Sequence, residues 1–157
     1  LDDILAFVAQ SPVAQSLKSS RYVYPLVNAA HILGLATLFG SILCLDLRLL
    51  GAFRSVPAQP LARYLPRVAA SGLGVAIVTG ALLFTVEPQD YAANPAFLTK
   101  AALVALGAAH AVYLHSTRRW RALTQGGGEI EAGLRISAAL SLALWTAAIV
   151  AGRLIAF

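Results

Sequence analysis

Histidine is the residue type through which this sequence would do chemistry. His31 lies inside a run from Tyr22 to Leu45 that holds no charged residue before Asp46, and His110 and His115 lie in a second apolar run. An ionisable side chain at bilayer depth is costly, and its presence there marks a functional position. Neutral imidazole ligates haem iron and also copper. Histidines that project inward from facing helices are a common way for a bundle to hold a metal or cofactor. His31 is therefore the first candidate ligand and His110 the second.

The neighbours of these histidines extend the candidate site. Asn28 stands one turn before His31 and would hold its second ring nitrogen, as ligand histidines usually require. Gly34 and Gly107 fall one turn from His31 and His110, where a missing side chain leaves room for a flat macrocycle or for close helix contact. Lys100, Arg21 and Arg153 fall toward the same end as His31. They would pair with haem propionates, an anionic quinone or lipid headgroups, or simply snorkel to the interface. From the starts of their runs, His31 and His110 differ in depth by about 9 Å at helical rise, so a shared haem needs tilt. His115 points about 140° away from His110 around the helix and is expected at the interface near the arginines.

No nucleophile with a matching base, no phosphate-cradling glycine loop and no paired intramembrane carboxylates are present, which removes hydrolase and phosphotransferase readings. The single cysteine, Cys44, excludes an internal disulfide and any multi-cysteine metal site, and is expected to pack as a small residue.

The elements that must position these residues are helices in lipid. Of the 157 residues 59% are hydrophobic and only 12% charged, against about 25% charged in a soluble domain. The sequence predicts an all-α membrane protein, a four-transmembrane-helix bundle with spans at about 23–47, 66–86, 96–116 and 133–155. Leu1, Ile4, Leu5 and Val8 recur at helical spacing, so residues 1–20 are expected as a short amphipathic segment in the interface, and residues 21–157 as the bundle. The acidic start carries no basic n-region, so no cleavable signal peptide is expected. Residues 50–67, with three prolines and three arginines, are expected as a surface connection, and residues 87–95 as a loop. Gly72, Ala76 and Gly80 recur every fourth position in the second span, a spacing that lets helices approach closely in lipid.

Arg48, Arg54, Arg63 and Arg67 surround the first connection and Arg118, Arg119, Arg121 and Arg135 the third. That asymmetry puts these ends in the cytoplasm and both termini in the periplasm of a bacterial inner membrane. The net charge of +5 is thus explained by topology, and no basic stripe with interleaved aromatics suggests nucleic acid.

The chain resembles a loose group of small bacterial membrane proteins that includes the HemJ-type protoporphyrinogen oxidases and the CopD copper-resistance membrane domain. Three stretches carry the likeness: His31 to Gly40 leading into Leu45-Asp46-Leu47-Arg48, Phe97 to His110 with Lys100, and Arg135 to Phe157. The resemblance implies a b-type haem, with His31 in the place of the ligand histidine and Lys100 in that of the functional lysine. Leu38 stands where HemJ helices carry tryptophan, and Ala138-Ala139-Leu140-Ser141 where they carry Asn-Glu-x-Pro, so the likeness points to haem rather than to porphyrinogen oxidation. The expectation is an integral membrane haem b protein that transfers electrons to or from quinone or a periplasmic redox partner. The alternatives are a CopD-like copper-handling protein, which the absence of methionine disfavours, and a cofactor-free subunit of a larger membrane complex.

Overall fold

The computed structural model describes residues 2–126 and 129–155. Eight helices are present among them and no strand: α1 (Asp2–Ala9), α2 (Pro12–Ser19), α3 (Val23–Leu50), α4 (Ala58–Phe84), α5 (Pro88–Ala93), α6 (Pro95–Ser116), α7 (Arg118–Gln125) and α8 (Ala132–Leu154). α3, α4, α6 and α8 are long and apolar enough to cross a membrane. The fold is thus a multi-pass membrane bundle of four spans.

Local chemistry sets most of the boundaries. The Ser11, Asn94 and Thr117 side chains accept hydrogen bonds from the first-turn N–H groups of α2, α6 and α7, and Pro12 and Pro95 follow as first helical residues. α3 and α7 end on Gly51 and Gly126, both left-handed, with φ of 108° and 90°.

The connection between the first two spans is shorter than the prolines suggest. Helix α4 begins at Ala58, so only residues 51–57 connect it to α3. Pro60 lies in the first turn, where its missing N–H had no partner to lose. Pro66 lies inside α4, a position that spans tolerate. Two further short helices are present, the first of them within the expected loop. α5 lies within 87–95, and α7 follows the third span as an amphipathic turn with Trp120 and Leu123 buried and Arg118, Arg119 and Arg121 outward.

The spans pack in the order α4, α3, α8, α6, as two tight pairs joined by α3 against α8. In the first pair the backbones touch. A Cβ on Gly34 would lie 2.9 Å from the Ala76 nitrogen and the Gly72 oxygen, and one on Gly72 would lie 2.6 Å from the Leu38 nitrogen. In the second pair a Cβ on Gly107 would lie 2.9 Å from the Trp145 indole.

Two clusters of buried apolar side chains hold the pairs together. One, built on Leu45, Leu49, Ala138 and Trp120, fills the arginine-rich end; the other, of Leu38, Ala69 and Trp145, fills the middle. At the opposite end, where α3 begins, neither cluster continues. There polar and aromatic contacts join the helix ends instead. Asn94 donates to the Ile155 carbonyl at 3.5 Å, and Phe84, Tyr91 and Phe97 pack together. Burial pushes the Tyr91 hydroxyl above the usual tyrosine range, helped by the neighbouring Tyr24 and Glu87. Outward side chains such as Leu106, Val112 and Ile136 are exposed and apolar, as lipid contact requires.

Candidate functional site around His31

His31 is half-buried on α3 and faces α4. Its Nδ1 lies 3.0 Å from the Thr79 hydroxyl, and its Cε1 lies 3.1 Å from where a Gly80 Cβ would be. Gly80 therefore makes the space for the ring. The direction of the bond follows from counting protons. The Thr79 hydroxyl has one hydrogen and donates it to the Val75 carbonyl at 2.6 Å. It can then only accept from His31, which places the ring proton on Nδ1. The Ala76 carbonyl, another acceptor, also faces the ring. In the neutral imidazole this leaves the Nε2 lone pair for a ligand, the arrangement found in ligand histidines whose other nitrogen is held by a protein group.

The expected partner of the ring is thus replaced. Asn28 is exposed and makes no hydrogen bond to His31 among the described residues; Thr79 on the neighbouring span does that work. Thr79 is a residue that sequence reasoning missed. Its only signal is a hydroxyl at the position before Gly80, on a face of small residues.

His31 and His110 are not brought into one interface. α3 packs on α4 and α8, whereas His110 sits between α6 and α8, with its Nε2 2.8 Å from the Ser137 hydroxyl. His110 spends on Ser137 the nitrogen that reaches farthest from its backbone. His115 is exposed and packs against Trp120, with ring centroids 4.5 Å apart and the planes tilted by 36°. The glycines also have occupants: Gly34 is filled by the α4 backbone and Gly107 by Trp145, so both serve helix contact rather than a macrocycle.

Lys100 is half-buried and lies along α8, with its Cδ, Cε and Nζ 3.3–3.5 Å from where a Gly152 Cβ would be. Arg21 and Arg153 are exposed at the same end. Cys44 is exposed on α3 and does not pack in the core.

One further buried group was not legible as a site. Asp46 is 4% exposed, bonds the Ser141 side chain on α8, and leaves Oδ2 buried with no hydrogen-bond partner among the described residues. No group of three or more histidine, cysteine or acidic side chains that could cage a metal occurs among the described residues.

The fold and these residues define a class, a four-span membrane protein with a tautomer-fixed intramembrane histidine. No protein-family model, curated protein or solved structure matches the chain.

Proposed function

We propose that this protein is a bacterial inner-membrane b-type haem protein that passes electrons to or from quinone or a redox partner at the periplasmic face. The observation that supports the reading is the Thr79 bond, which engages Nδ1 of His31 and leaves the Nε2 lone pair available to a ligand. His31 is the ligand, and Lys100, poised near it, is the cation for an acidic group of the cofactor. His110 is the weaker ligand, because its Nε2 is engaged by Ser137. When bound, the haem supplies the one-electron chemistry. The chain's part is to orient the imidazole, bury it among apolar helices and offer basic groups at one end. The arginine-rich end faces the cytoplasm and both termini the periplasm.

A second reading, a cofactor-free subunit of a larger membrane complex, is favoured by one observation: Gly34 and Gly107 are both used up in helix packing. An oxidised-minus-reduced visible spectrum of the detergent-purified protein separates the two. The haem reading expects b-type bands in the wild type and in His110→Ala, and their loss in His31→Ala. A wild type that stays colourless after expression with haem supplied sinks it and leaves the structural subunit.

A further inference from the structure

The ends of α3, α4, α7 and α8 enclose a cleft of about 540 Å³ at the arginine-rich end of the bundle. Arg48, Arg54 and Arg135 line it, against a single carboxylate, Glu129. Two of these cations are held in place by the connection they belong to. Arg48 donates from Nε to the Val56 carbonyl and from Nη2 to the Arg54 carbonyl, and Arg54 donates from Nε to the Gly51 carbonyl at 3.2 Å. The exposed side chain of Arg135, at the start of α8, makes no hydrogen bond among the described residues; only its backbone N–H does, to the Glu131 carbonyl. None of the three arginines is in an ion pair among those residues, while the nearby Glu131 is taken by Arg119 at 2.9 Å.

Like charges repel, and free arginines at a membrane surface would separate into water. Here two are fixed by backbone carbonyls and a third stands across the cleft, with guanidinium N–H groups left over on each. The first turn of α4, which opens into the same cleft, has no side-chain cap. The arrangement concentrates donors on one small volume, and the anion that best matches several guanidinium forks is phosphate. Leu123 and Ile130 give the cleft an apolar wall beside the charged one. We propose that this cleft binds a phosphate-bearing anion, either the headgroup of an acidic phospholipid or a soluble phosphate. The site is independent of His31 and of the haem reading.

Binding titrations of the detergent-purified full chain test it, with phosphatidylglycerol, phosphatidylcholine and inorganic phosphate as probes. The wild type is expected to bind phosphatidylglycerol in preference to phosphatidylcholine, or to bind inorganic phosphate. Arg135→Gln, which removes an exposed side chain with no structural bond, is expected to weaken binding about tenfold or more. Arg54→Gln should do the same, and Arg63→Gln, an exposed arginine of α4 outside the cleft, should bind as the wild type does. Phosphatidylglycerol binding that inorganic phosphate does not displace assigns a lipid headgroup; displacement assigns a soluble phosphate. Equal binding of the two lipids with no response to phosphate, or equal losses in Arg135→Gln and Arg63→Gln, would overturn the proposal.

Discussion

At the scale of single residues, the proposed haem ligation rests on where one proton sits. Thr79 accepts from Nδ1 of His31 only because its own hydrogen is committed to the Val75 carbonyl. Thr79→Val keeps the shape and removes the acceptor, so the imidazole loses its fixed tautomer and orientation. Second-sphere losses of this kind typically cost about 10–100-fold in affinity. Haem titration into apo-protein should show a weakening of that order in Thr79→Val, and an unchanged affinity would mean that Thr79 does not orient the ligand. Asn28 had looked like the orienting group because spacing along one helix reports only neighbours on that helix. The true partner is 48 positions away on the next span. For Asp46 a partner on another span or cytoplasmic water could be expected from the sequence, but that the partner is Ser141 could not be read along its own helix.

At the scale of elements, small residues decide how the spans meet. There is no hydrophobic drive between helices in lipid, so close backbone approach and van der Waals packing hold them. Gly34 and Gly40 share a helix but differ in surroundings. A Cβ on Gly34 meets the α4 backbone at 2.9 Å, whereas one on Gly40 meets nothing within 4 Å. Gly34→Ala must push α3 and α4 apart and is expected to destabilise by about 1–3 kcal/mol. Gly40→Ala gains helix propensity and should be neutral or stabilising by up to about 1 kcal/mol. Unfolding of the two variants in mixed micelles measures the contrast, and equal behaviour would contradict the packing described. The Gly72-x-x-x-Ala76-x-x-x-Gly80 spacing announced a packing face. It did not reveal that Gly80 would seat an imidazole while Gly72 and Ala76 met backbone.

At the scale of the whole molecule, the two tight pairs are joined through Leu38, Trp145 and the cluster at the arginine-rich end, while at the opposite end Asn94 meets Ile155 and Phe84 stacks on Phe97. The charge asymmetry argues that this opposite end faces the periplasm. Alkaline phosphatase fused after residue 155 should therefore be active, and the same enzyme inserted in the connection 51–57 should be inactive. The reverse pattern would invert the topology and put Lys100 and His31 near the cytoplasmic side. What the sequence determined by itself is the helical membrane class and the approximate spans, and it marked His31 as the first candidate ligand. Those follow from hydropathy, length and the cost of an ionisable group in lipid, which are local properties. Only the tertiary structure decided that Thr79 holds His31, that His110 belongs to Ser137, and that Gly34 and Gly107 are already filled. It also gathered Arg48, Arg54 and Arg135 around one cleft. Each of these depends on which spans lie side by side and how each is rotated, and a weakly patterned apolar helix carries little record of either in its own residues.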